Sequence, residues 1–389
     1  MYRPDRRQFL KVSTIGASIT LFGRPFIVNG EIKEPQTHEE REGIIKRRLG
    51  RTGLELPVVS MGVMRADNPG LVRAALKAGM VYLDTAHGYQ KGKNEQMLGE
   101  VLKVYPRDSF VIGTKLPPDD TESFFEKLNI SLQRLQMDYT DILYLHGVSS
   151  REDALNAEML AALKKAKDSG TAHYVGLSTH KNEPEVLRAA AESGVYDVVL
   201  TAVNFKQDHY PEVKKAIAEA VAEGIGIIAM KTMAGGFLDR ERKKPINCKA
   251  ALKWVLQDER ITSTIPGITS YEMLAENASV NRNITLTKEE KAELAIGMTE
   301  GGLYCQGCER CTRQCYKNLP IPEIMRAYMY TYGYRDSRQA QDLLLSLNLT
   351  NNPCADCTQC SAICAKNFAI SERVADVMRL TTVPEEFIS

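Results

Sequence analysis

Between Lys46 and residue 286 the chain alternates short apolar runs, often β-branched, with longer stretches whose apolar positions recur every three to four residues. The strand candidates are VVSMGV (58–63), VYLDTA (81–86), FVIGTKL (110–116), DILYLHGV (141–148), YVGLSTH (174–180), VVLTAVN (198–204), IGIIAMKTM (225–233) and STIPGI (263–268). Helical patterns such as LVRAALKAG, SFFEKLNISLQRL, AEMLAALKKAKDSG, VKKAIAEAVAEG and KAALKWVLQ lie between them. Gly79, Gly170, Gly194 and Gly224 stand where helix C-caps belong. A hairpin, RRLGRTGLELP, comes first. Eight strand–helix units over 46–286 match the count and length of a (β/α)8 TIM barrel in the α/β class. A doubly wound open sheet is the alternative, but no G-x-G-x-x-G follows the first strand candidate.

The pattern changes at both ends. Residues 1–30, MYRPDRRQFLKVSTIGASITLFGRPFIVNG, carry Arg6-Arg7 and then Phe9-Leu10-Lys11, the twin-arginine export pattern of bacteria. The weakly apolar segment from Val12 to Phe22 suits a signal peptide and is too short to span a bilayer. No A-x-A cleavage site follows, which leaves removal and retention as an anchor both open. Residues 31–45 are polar and read as a linker. Residues 287–389 form a smaller, mainly helical domain and hold eight of the nine cysteines. The chain is expected in the periplasm or cell envelope. Lys and Arg total 50 against 49 Asp and Glu, without the basic excess of a nucleic-acid binder. No apolar run reaches the roughly 18 residues of a spanning helix, so a polytopic membrane protein is not expected.

Polar residues at the strand ends are the candidate chemistry, because a TIM barrel places its site there. Asp84 ends the second strand, Lys115 the third and His146 the fourth, with Tyr89 in the loop after the second. A Lys and an Asp buried on adjacent strand ends should pair, since either alone is costly to bury. The positive charge should lower the pKa of the neighbouring Tyr89 phenol. A tyrosine so tuned suits a general acid for carbonyl reduction, with His146 holding the substrate oxygen.

From Arg48 to Val280 the sequence resembles the aldo-keto reductases. LDTAHGYQKGKNEQMLGEVLK (83–103), VIGTKL (111–116), DILYLHGV (141–148), GTAHYVGLSTH (170–180) and IPGITSYEMLAEN (265–277) carry the resemblance. It implies that Asp84, Tyr89, Lys115 and His146 are the catalytic tetrad, with Tyr89 the proton donor. It also implies NAD(P) as cofactor and a small-molecule carbonyl or alcohol as substrate. Ser178 falls where the family holds the nicotinamide carboxamide, its usual neighbour Asn is Thr179, Leu200 replaces a common Gln, and Asn204 keeps a family position. Lys231 and the Gly235-Gly236 pair fall in the loop expected to meet the pyrophosphate. Gly267 and Met273 stand where NADPH-preferring members often carry Lys and Arg, so the choice between NAD and NADP stays open. Thr269 and Ser270 precede a helix whose N–H groups suit a phosphate, and Glu276 and Asn277 match positions near the adenine.

The cysteines form two runs with bacterial ferredoxin spacing, Cys305-x2-Cys308-x2-Cys311-x3-Cys315 and Cys354-x2-Cys357-x2-Cys360-x3-Cys364. In two-cluster ferredoxins the fourth cysteine of each run reaches the other cluster. That assigns Cys305, Cys308, Cys311 and Cys364 to one [4Fe–4S] cluster, and Cys354, Cys357, Cys360 and Cys315 to a second. Zinc also takes C-x2-C pairs but does not need the third and fourth cysteines at these offsets. The 38 residues between Cys315 and Cys354 hold two helical patterns, EIMRAYMYTYGY and SRQAQDLLLSLNL. The isolated Cys248 reads as a buried structural thiol. Two functions follow. One is an oxidoreductase that exchanges hydride with NAD(P) and passes electrons through its clusters to a redox partner protein. The other is an electron-transfer or redox-sensing protein that keeps the barrel as a scaffold.

Overall fold

In the computed structural model, residues 43–239, 241–299 and 302–388 are described. The signal segment 1–30 and most of the linker 31–45 lie outside them. The hairpin forms as expected: β1 (Lys46–Arg48) pairs antiparallel with β2 (Glu55–Pro57). Leu49, at its turn, packs against Gly226 at the N-terminal end of the barrel.

Eight parallel strands follow: β3 (Met61–Gly62), β4 (Tyr82–Asp84), β5 (Val111–Leu116), β6 (Thr140–Leu145), β7 (Ala172–Thr179), β8 (Val198–Ala202), β9 (Gly226–Met230) and β10 (Ile261–Thr264). Each pairs with the next in sequence order. The ring closes where Ser60 N–H donates to the Thr264 carbonyl at 2.8 Å and Gly62 bridges to Gly267. This is the (β/α)8 barrel expected from the alternating pattern. Several strands end sooner than their apolar runs, because the last residues of those runs leave the ladder to line the mouth.

The helices of the barrel are α1 (Pro69–Lys77), α2 (Lys93–Leu102), α3 (Thr121–Leu135), α4 (Arg151–Ala154), α5 (Ala157–Asp168), α6 (Glu183–Ser193), α7 (Tyr210–Ala222), α8 (Cys248–Leu256) and α9 (Tyr271–Val280). Their ends follow local chemistry. Asp120 caps α3 by accepting from Ser123 N–H, and Asn247 caps α8 by accepting from Ala250 N–H. In α3 the buried positions Phe124, Leu128, Leu132 and Leu135 recur at helical spacing, which turns one stripe to the sheet.

Inside the barrel, Tyr82 and Tyr144 are fully buried. Neighbouring strands give them room by carrying glycine. A Cβ on Gly113 would lie 2.8 Å from the Tyr82 hydroxyl, and one on Gly176 would lie 2.8 Å from Tyr144 and 2.4 Å from the Val198 carbonyl.

The C-terminal part consists of α10 (Lys288–Thr299), α11 (Arg310–Gln314), α12 (Ile321–Tyr332), α13 (Ser337–Ser346) and α14 (Ile370–Met378). The expected boundary at 286/287 falls just before α10. It does not separate two cores, however. Phe205, Leu238, Ala250 and Ala251 of the barrel form one apolar cluster with Leu303, Ile324, Met329 and Val374. Ion pairs Lys366–Asp208 at 2.6 Å and Lys91–Glu385 at 2.7 Å join the same parts. The C-terminal helices therefore cover the barrel loops, and α12 lies over the mouth.

Candidate active site

The tetrad assembles at the C-terminal end of the barrel. Asp84 ends β4 and Lys115 lies one residue before the end of β5. His146 follows β6, its N–H donating to the Leu116 carbonyl at 2.7 Å, and Tyr89 begins the turn Tyr89–Gly92 after β4. Lys115 and Asp84 are 1% and 2% exposed and form an ion pair. Lys115 Nζ also donates to the Thr85 carbonyl at 2.6 Å and lies 3.5 Å from Tyr89 Oη. The Tyr89 and His146 rings meet edge-on at 5.9 Å.

Two further residues, not expected from the sequence, complete the Asp84 side. Tyr82 Oη donates to Asp84 Oδ2 at 3.0 Å, and Tyr82 and Tyr144 hydroxyls are 3.0 Å apart. The available signal was strand alternation: Tyr82 precedes Asp84 by two residues and Tyr144 precedes His146 by two, so each pair shares a face.

Residues 61–250 match the aldo/keto reductase family model. The barrel matches the aldo/keto reductase (β/α)8 fold. The chain is 25% identical over 332 residues to the L-glyceraldehyde 3-phosphate reductase of Escherichia coli O157:H7, covering 68% of this chain and 95% of that protein. It is 25% identical over 281 residues to the L-galactose dehydrogenase of Arabidopsis thaliana, covering 60% and 86%. The solved structure of an aldo-keto reductase from Bacillus halodurans, in its holo form, superposes with a TM-score of 0.57 at 23% identity. That superposition covers 65% of this chain and 96% of the other, and shows the shared fold. The family match ends before the first cysteine run.

Burial sets the electrostatics of this site. It disfavours the Lys115 ammonium, but Asp84 and Tyr89 outweigh it, so the Lys115 pKa rises and the charge stays. Burial raises the Asp84 pKa, with Lys115 opposing. The expected lowering of Tyr89 does not occur. Removing the phenol from water raises its pKa by more than nearby Lys115 lowers it, and Asp84 adds to the rise. His146 is pulled down to about 3, first by burial, then by Lys115 and Lys231. Its ring is uncharged at neutral pH.

The residues expected to hold the nucleotide are placed unevenly. Ser178 Oγ accepts from Gly147 N–H at 3.0 Å, and Thr179 Oγ1 donates to the Lys181 carbonyl at 2.9 Å, so the chain itself engages both hydroxyls. Asn204 is fully buried; its Oδ1 accepts from Lys206 N–H at 3.0 Å, and its side chain faces the Tyr304 hydroxyl. Ser270 caps α9, accepting from Met273 N–H at 3.2 Å, and Thr269 Oγ1 lies 3.4 Å from the Met273 sulfur. Asn277 is buried with neither amide atom partnered among the described residues, and Glu276 is half-buried nearby. The unpaired amide of Asn277 fits the adenine end of a dinucleotide, because buried polar groups need partners. Gly235 and Gly236 do not form the open cradle expected of them. A Cβ on Gly235 would lie 3.1 Å from Leu303 and one on Gly236 3.1 Å from the Gly333 carbonyl, because the C-terminal part closes on this loop.

The cysteines gather in two sets. Cys305, Cys308, Cys311 and Cys364 line one cavity with Pro322 and Phe368. Cys315, Cys354, Cys357 and Cys360 line another with Leu319, Ile321 and Val374. All are free thiols in the structure. Among the described residues, no three His, Cys, Asp or Glu side chains converge closely enough to hold a single metal ion. Cys248, expected to be buried, is half-buried at the start of α8, and that withdrawal from water pushes its thiol up to about 11.

A pH dependence follows. Tyr89 acts as an acid only while protonated, and burial, by raising its pKa, extends that protonated range to the alkaline side of an ordinary phenol. His146 stays neutral above about pH 4. Carbonyl reduction at saturating nucleotide should therefore be flat between about pH 5 and pH 9 and decline on the alkaline side. A kcat/KM profile with a limb near pH 6–7 would show instead that a histidine titrates in the reaction.

Proposed function

We propose that this aldo/keto reductase-type oxidoreductase transfers hydride between NAD(P) and a small carbonyl or alcohol substrate, and exchanges the electrons with a redox partner protein through two [4Fe–4S] clusters. The observation that carries the reading is the assembled tetrad: a buried, charged Lys115 paired with Asp84 within 3.5 Å of the Tyr89 hydroxyl, beside a neutral His146.

A bound nicotinamide supplies the hydride. Ser178 and Asn204 would hold its ring end, and Thr269, Ser270, Glu276 and Asn277 its adenine end. The remaining roles fall to the chain. His146, uncharged, orients the substrate oxygen without drawing its proton away. Tyr89 gives its proton to that oxygen as negative charge develops there. Lys115 stabilises the phenolate left behind, and Asp84, fixed by Tyr82, keeps Lys115 charged at low dielectric. In the oxidative direction the proton returns to Tyr89.

The cluster assignment is supported by the grouping of the cysteines, since each cavity takes three thiolates from one run and the fourth from the other. A zinc ion holds its four thiolates at about 2.3 Å from one centre. A four-iron cube spreads them farther apart, in keeping with walls that do not converge on a point. Each [4Fe–4S] cluster would exchange one electron, so the two together would match in number the two electrons that one turnover moves. The twin-arginine segment supports export of the folded, cofactor-loaded protein to the periplasm or cell envelope.

The covering of the barrel mouth favours a second reading, an electron-transfer or redox-sensing protein with a non-catalytic barrel. Tyr330 of α12 is buried close enough to Tyr89 that, after burial itself, Tyr89 adds to the cost of ionising the Tyr330 phenol. Turnover separates the readings. Tyr89→Phe should lower carbonyl reduction by about 10²–10⁴-fold across a panel of aldehydes, ketones and sugars, while leaving nucleotide binding intact. Normal turnover in that variant would remove Tyr89 from the mechanism. A parent that binds no nucleotide yet reduces and reoxidises its clusters would favour the second reading.

Anaerobically purified protein should contain about eight irons per chain with matching labile sulfide, and Cys308→Ser or Cys357→Ser should each remove about half. Stoichiometric zinc without sulfide would overturn the cluster assignment. Replacing Arg6 and Arg7 by Lys should retain the protein in the cytoplasm, as fractionation would show. Export undiminished in the Lys-Lys variant would count against the twin-arginine route.

A further inference from the structure

Between the barrel mouth and α12 lies a cavity that the tetrad leaves unused; Cys305 of the first cysteine set borders it, and Lys231, expected in the pyrophosphate loop, forms part of its wall. Its enclosed volume is small, about 30 Å³, and it opens to solvent. Its polar walls are His180 and Lys181 after β7, Lys231 after β9, and Glu323 and Arg326 from α12. The charges do not balance. Lys181 is paired with Glu309 outside the cavity. Arg326 lies 3.4 Å from Glu323 and 3.5 Å from His180 Nε2. Lys231 Nζ has no hydrogen bond or ion pair among the described residues; its contact is the face of Tyr330, 5.7 Å away. Within the cavity wall two cations thus share the single carboxylate of Glu323, and Glu183 acts on Lys231 from outside the wall. His180 Nδ1 is also buried without a partner among the described residues.

An ammonium withdrawn from water without a counter-charge is costly. Lys231 shows that cost: burial, then Arg326, pushes its pKa well below the lysine range. An oxyanion entering the cavity removes it by pairing with Lys231 and Arg326, and it gives His180 a partner. The cavity also borders the chemistry, since Tyr330 neighbours Tyr89 and the charge of Lys231 is felt at His146.

We propose that this cavity is an oxyanion site, in which Lys231 and Arg326 hold the carboxylate or phosphate of a substrate whose carbonyl or alcohol carbon faces Tyr89 and His146. The inference rests on the hydride-transfer reading above and narrows its substrate class to oxo or hydroxy compounds that also bear an anionic group. Arg326 belongs to α12, so the appended helices supply part of the specificity and do more than cover the barrel.

The test is calorimetric titration of the anaerobically purified, full-length holoprotein with oxalate and, separately, inorganic phosphate. The parent should bind at least one, and the tighter of the two identifies carboxylate or phosphate as the natural group. Arg326→Met and Lys231→Met should each weaken binding about tenfold or more, as loss of a charge-assisted contact does. Arg326→Lys should restore most of it, and unchanged iron content shows that each variant is folded. Saturating NADPH should not displace the anion. No binding to the parent, parent-like binding in both Met variants, or displacement by NADPH would overturn the proposal; the last would assign the cavity to the dinucleotide pyrophosphate. The hydride-transfer reading fails separately, through normal turnover of an uncharged aldehyde by Tyr89→Phe.

Discussion

The constraint on which the structure depends is a positive charge buried inside a barrel. Lys115 lies on an inward-facing strand position, 1% exposed, and an ammonium there is tolerable only with a counter-charge and further hydrogen-bond acceptors. Asp84 and the Thr85 carbonyl supply these from the adjacent strand. Asp84 in turn needs a donor on its other oxygen, which is Tyr82, and Tyr82 meets Tyr144. Both tyrosines fit because the strands beside them carry Gly113 and Gly176. One charge thus dictates residue choice on four neighbouring strands.

The same burial shapes the reactivity. A dry site keeps the phenol protonated and the imidazole neutral, the states a proton donor and an uncharged hydrogen-bonding partner require. The low dielectric also makes the Lys115 charge most effective when Tyr89 loses its proton. What a nearby lysine contributes here is stabilisation of the phenolate as it forms, against a resting phenol that burial has made harder to ionise.

The C-terminal helices alter the barrel's surroundings without altering its tetrad. They share an apolar core with the loops after β8 and β9, close on Gly235 and Gly236, and place Tyr330 and Arg326 at the mouth. Cys305, in the first cysteine set, lines the same cavity as Lys231. The cavity proposed to take the substrate anion and the cavity lined by the first cysteine set are therefore adjacent, sharing Cys305 and Pro322 in their walls.

By itself the sequence determined what is periodic or local. Strand–helix alternation fixed the barrel, because each unit buries its own apolar face against its neighbours. The strand ends located Asp84, Lys115 and His146, because the barrel brings all such ends to one face. The spacing of the cysteines assigned them to two sets, because short spacers confine each run. The tertiary structure decided what depends on contacts between distant segments. It reversed the expected shift of Tyr89, since the depth of burial is set by everything packed above the mouth, including α12. It closed the Gly235-Gly236 loop against Leu303 and Gly333, and it brought Arg326 to Lys231 and His180. No local pattern carries those pairings, because the partners lie far apart in the chain and meet only when the C-terminal helices dock.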